Sequence, residues 1–146
     1  MIRRQPARSR SGIATVEMAV CLPIILTLTL ATVDVCTAMF LKESVAIAAY
    51  EGARVGSARG GTNAEVVARV KEILDERGIT YDNSSVVHIK KTDSPTAEGF
   101  DTAETLEQCR VRVRVPLSGN VLSPAKFFTS GNIQSYVWMR KEYTNP

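Results

Sequence analysis

Apolar positions follow two different patterns along the chain. From Met18 to Leu41 they are nearly continuous, interrupted by Pro23, a few threonines and one acid, Asp34. As a helix these 24 residues would reach about 36 Å, enough to cross a hydrocarbon core of about 30 Å with some tilt. Residues 18–41 therefore predict a transmembrane span. Beyond it the apolar positions become periodic. Leu41, Val45, Ala48, Ala49, Gly52, Val55 and Gly56 recur at steps of three and four with no proline before Arg59, so the helix runs on past the membrane surface as a stripe of small and apolar residues. The predicted rod covers 13–59, 47 residues and about 70 Å, with a kink at Pro23, which lacks an amide hydrogen.

Gly60-Gly61 ends the rod, and Thr62 with Glu65 three positions later forms a capping-box pattern. A second helix over about 64–77 follows, its apolar face made of Val66, Val67, Val70, Ile73 and Leu74, with Gly78 as a left-handed stop. After Asn83 the period falls to two. Val87 and Ile89 alternate with Val86, His88 and Lys90; Cys109, Val111, Val113 and Val115 alternate with Arg110, Arg112 and Arg114. A third strand is expected over 133–143, with Tyr136 and Trp138 on one face and Val137 and Met139 on the other. The pattern thus predicts an α+β protein in three parts: a leader over 1–12, the long hydrophobic helix over 13–59, and a small domain over 60–146 in which a second helix packs on an antiparallel sheet.

Charge assigns an orientation to this plan. The formal charge is +3, but Arg3, Arg4, Arg8 and Arg10 precede the apolar run with no acid among them, and without the first twelve residues the charge is −1. The basic balance belongs to the leader, so a broad nucleic-acid surface is not expected, and the positive-inside bias places the leader in the cytoplasm and the carboxyl side outside. Cys21 and Cys36 are too far apart along the helix to bridge, about 22 Å, and Cys109 stands alone, so neither a disulfide framework nor a zinc pattern is present. The lone His88 has no triad partner at a recognisable spacing, and the glycines match no phosphate-binding fingerprint. No enzyme activity, cofactor or metal is expected. Residues 92–108 hold Asp93, Glu98, Asp101, Glu104 and Glu107 without a lysine or arginine and are expected to form a flexible solvated loop, since the ligand alternation of a calcium loop is missing. Arg110, Arg112 and Arg114 share one strand face, which either meets such a loop on a neighbouring subunit or is a soluble edge.

Three processing routes compete for the amino terminus. Secretory cleavage after Ala46-Ile47-Ala48 is disfavoured by the length of the apolar run and by Lys42-Glu43, and lipoprotein processing at Cys21 by the short run before it and by Val20. The third route rests on Gly12-Ile13-Ala14-Thr15-Val16-Glu17, which resembles the prepilin peptidase site of type IV pilins. That resemblance implies cleavage after Gly12, Ile13 as the new terminus, and Glu17 as the fifth mature residue, paired with the terminal amine of a neighbouring subunit. A carboxylate at the edge of hydrocarbon is costly unless a cation meets it. The alternative is an uncleaved anchor whose Glu17 reaches the interface.

The stretch Arg10-Ser11-Gly12-Ile13-Ala14-Thr15-Val16-Glu17-Met18-Ala19-Val20-Cys21-Leu22-Pro23 resembles the opening motif of the TadE-like pseudopilins of the tight-adherence, type IVb pilus machinery. Ala48-Ala49-Tyr50-Glu51-Gly52-Ala53-Arg54 is similar to a second segment of that family, with Tyr50 the main departure, and Val137-Trp138-Met139-Arg140-Lys141-Glu142 more loosely resembles its closing strand. The resemblance implies a minor pseudopilin in the bacterial inner membrane that serves pilus biogenesis and adherence. Its expected partners are other pilins and pseudopilins, the prepilin peptidase, the inner-membrane assembly platform and membrane lipid, with no nucleic acid. An uncleaved, membrane-anchored envelope binding protein is the alternative. Asp34, about 12 Å below the membrane surface, either contacts a polar group of another assembly component or is a neutral acid satisfied locally. Ala46, Ala49, Gly52, Ala53 and Gly56 allow close contact either with other rods or with the chain's own carboxyl domain.

Overall fold

The computed structural model describes residues 11–91, 99–121 and 130–143. Arg3, Arg4, Arg8 and Arg10 of the leader, and Asp93 and Glu98 of the acidic stretch, lie outside them. The rod is α1, Ser11–Ser57, a helix of 47 residues that continues through Pro23. It starts and stops two residues earlier than expected. The hydroxyls of Thr27, Thr29, Thr32, Thr37 and Ser44 donate to carbonyls three or four residues back, at 2.8 to 3.0 Å. These bonds satisfy polar groups within an apolar helix without needing water. The turn after Ser57 closes through Gly61 N–H to Ala58 O at 3.1 Å, with Gly60 left-handed at φ 78°.

The second helix, α2, is Asn63–Glu76, and its start is the expected capping box: Glu65 N–H donates to Thr62 Oγ1 and Thr62 N–H to Glu65 Oε2. Its end is a Schellman motif, with Ile79 N–H to Leu74 O at 2.9 Å, Gly78 N–H to Asp75 O at 3.0 Å, and Gly78 at φ 64°. Val66, Val70, Ile73 and Leu74 are buried. Val67, expected on the same face, is half-buried because it sits at the flank of that stripe.

Three antiparallel strands complete the fold: β1 Val87–Lys91, β2 Gln108–Pro116 and β3 Asn132–Arg140, in the order β1-β2-β3. The arginine-bearing strand is thus central, which corrects the reading of Arg110, Arg112 and Arg114 as a soluble edge. Cys109, Val111, Val113 and Val115 point inward and are fully buried, and α1 lies across β2 and β3 with α2 beside it. Strand β3 ends at Arg140 rather than 143. Val86, expected on the outward face with His88 and Lys90, is buried; it precedes β1, where its carbonyl accepts from Arg114 N–H at 2.8 Å.

The second half of the acidic stretch is not a flexible solvated loop. Phe100 and Ala103 are buried in the core, Phe100 N–H donates to Asn63 Oδ1 at 2.8 Å, and Asn63 N–H donates to Asp101 Oδ1 at 2.9 Å. Glu107 pairs with Lys91 at 2.6 Å. One aromatic in a polar run has no periodicity to announce it, so sequence pattern alone could not find this plug.

Candidate functional site

Every residue of 12–29 is exposed, although most of them are apolar. The best 18-residue window of α1 has mean hydropathy 2.1 and is only 6% buried, unlike the core helix of a soluble protein, which its own fold covers. A bare apolar helix of this length fits a single-pass membrane anchor. Gly12 is surrounded by open space and Ile13 is 64% exposed. Glu17 is exposed one turn further on, about 6 Å along the axis and on the same face as Ile13. The structure therefore leaves Gly12, Ile13 and Glu17 free of the folded domain.

From Leu30 onward one face of α1 is covered, through Ala31, Asp34, Thr37 and Ala38 to Leu41. Asp34 is fully buried between the exposed Val33 and Val35. Its own chain encloses it, within a helix whose other faces stay open.

The small residues of α1 lie against the domain. Ala49 and Ala53 are fully buried, a Cβ on Gly52 would stand 2.6 Å from Val70 Cγ2, and one on Gly56 would stand 2.5 Å from Phe100 Cδ2. Glycine is required at both positions because helix α2 and the Phe100 ring occupy the space a side chain would need. These residues therefore pack within the chain. Ala48 is likewise fully buried at mid-helix, so cleavage after it would remove Leu41 and Val45 from the core.

One central residue stands at the end of the strand pattern without a role that the pattern assigns. Lys141 is fully buried at the end of β3, and its Nζ donates to Gly56 O at 3.0 Å and to Gly61 O at 2.7 Å. The ammonium caps the carbonyl end of α1, where the helix dipole favours a cation, and stands 5.8 Å from the Phe100 ring centre. Burial pulls its pKa below the usual lysine value. The parity of Val137 and Met139, which point inward, places position 141 on the same side and was the available signal.

Cys109 is a buried free thiol, its pKa raised first by burial and then by the nearby Glu107 charge, whereas Cys21 and Cys36 are exposed. Among the described residues no three His, Cys, Asp or Glu side chains gather to hold a metal ion. His88 is half-buried on the outer sheet face.

Comparison with curated proteins and with solved structures finds no match. A family model does match: residues 12–54, which carry the bare helix and the small-residue stripe, match the family described as TadE-like protein. That segment is 43 of the 146 residues and ends two residues before Gly56. Over that part of its long helix the chain is similar to the TadE-like proteins.

Proposed function

We propose that the protein is a minor pseudopilin of a Tad-type, type IVb pilus assembly system, held in the bacterial cytoplasmic membrane with its leader inside and its α+β domain outside. A prepilin peptidase cuts after Gly12, Ile13 becomes the new terminus, and Glu17 meets the terminal amine of a neighbouring pilin or pseudopilin. The role is architectural rather than catalytic. The bare helix holds the subunit in the bilayer and presents Glu17 to other rods as the assembly platform gathers them. The observation that carries this reading is the family match beginning at Gly12 on a helix whose first turns are free of the folded domain.

Intact mass of the chain from its native host, together with Glu17→Ala, tests the proposal. A product beginning at Ile13, and a Glu17→Ala chain that is inserted and processed but fails to assemble, are expected. Retention of Met1, with assembly indifferent to Glu17, would instead favour an uncleaved envelope binding protein.

A further inference from the structure

The outer face of the sheet gathers cations and rings that are scattered in sequence. The register sets His88 beside Arg112 and Tyr136, and Lys90 beside Arg110 and Trp138, with Arg114 opposite Gln134 and Arg140 opposite Gln108. Five cations, Lys90, Arg110, Arg112, Arg114 and Arg140, thus share this face with no acid on it. Tyr136 is 60% exposed and Trp138 45%, and the Arg110 guanidinium stacks over the Trp138 ring at 5.2 Å. None of the five cations has a carboxylate partner among the described residues. Trp, Tyr and Arg are the residues that dominate binding at protein interfaces, and an unopposed set of guanidiniums selects an acidic partner.

The same chain carries such a surface elsewhere. Residues 92–108 contain five acids and no base, and their described part exposes Asp101 and Glu104 just before β2 begins. Glu107 there is already paired with Lys91, and Leu106 N–H is bonded to Lys141 O, so this turn is tied to the start of β2. Arg114 lies six residues up the same strand from Gln108, about 20 Å away. The acidic turn and the upper part of the basic face therefore belong to opposite ends of the sheet. We infer that the Arg110–Arg112–Arg114 face, with Tyr136 and Trp138, docks the acidic turn around Asp101 and Glu104 of a second copy of this chain. Two different surfaces meet in such a contact, so it is head-to-tail and adds copies in a row rather than closing a dimer. The inference rests on the assembly role proposed above and names one partner in it.

The full-length chain in detergent micelles, carrying a photo-crosslinking amino acid in place of Gln134, tests this. Expected is a cross-linked dimer whose second peptide maps to residues 99–108, with a yield that falls several-fold as salt is raised. Arg110→Glu with Arg114→Glu on the crosslinker copy should abolish the product, as should Glu104→Lys on the other copy, and mixing the two variants should restore it. Because Arg110 stacks on Trp138, folding of each variant is certified by an unchanged far-ultraviolet circular dichroism spectrum and unfolding midpoint rather than by tryptophan emission. Cross-links confined to the membrane helices, cross-links within one chain, or no dimer would overturn the inference. So would capture of polyglutamate or an oligonucleotide by the face in place of the second copy. Intact mass of the same preparations reports cleavage after Gly12 separately, so the contact and the pseudopilin reading fail independently.

Discussion

Lys141 Nζ stands 3.0 Å from Gly56 O, so a side chain just beyond β3 caps the long apolar helix α1. The residues are 85 positions apart, and the neighbouring bond from Glu142 N–H to Ser57 O at 3.1 Å continues the contact. Without Lys141 the last carbonyls of α1 would be buried beneath Phe100 with fewer donors, at a cost of about 1 to 3 kcal/mol for each group left unmade.

Lys141→Met keeps the stem and removes the donors. Unfolding of the full chain in detergent should show a loss of about 2 to 6 kcal/mol, the sum for two orphaned carbonyls. A loss below about 0.5 kcal/mol would show that the ammonium is not the cap.

Alkaline pH provides a second readout of the same residue. The folded pKa is lowered, so between that value and the unfolded value of about 10.5 the unfolded chain binds more protons, and stability rises with pH across that window. Lys141→Met should lack this rise in a series of unfolding curves.

Gly56→Ala places a methyl group against the Phe100 ring, and overpacking of this kind costs about 1 to 3 kcal/mol. Phe100→Ala opens a cavity instead. The double variant should be less destabilised than the sum of the two singles, because the second change removes the clash caused by the first. Additive losses would mean that the two residues do not compete for one space.

Glu107 is held below the usual carboxylate value, first by its bond to Lys91 and then by the Glu104 amide. Its contribution is fully present above the unfolded value near 4.5 and is lost as pH falls through the lower folded value. Glu107→Gln should flatten that part of the acid unfolding profile. An unchanged profile would assign acid sensitivity to other carboxylates, of which Asp82, held low by Ser84 and then Ser85, is the first to examine by Asp82→Asn.

The elements that local pattern could announce were legible. Continuous apolarity marks α1 in its first half, a hydroxyl and a carboxylate three apart mark the start of α2, and alternation marks β2 and β3. Each of these signals lies within one stretch of chain, where a helical or extended backbone dictates which side chains share a face. Phe100 and Lys141 were not legible, because each owes its place to a segment distant in sequence.

From the order of residues alone came a long apolar helix, a capped second helix, strands of alternating polarity, and a basic leader separable from a nearly neutral remainder. Folding settled that β2 is the central strand, that the small residues of α1 face α2 and Phe100, and that five cations with no acid occupy one side of the sheet. Net charge and periodicity average over the chain or over a few neighbours. Strand register and helix packing bring together residues tens of positions apart, and it is this long-range pairing that decides which small residue lies beneath a ring and which lysine is buried at a helix end.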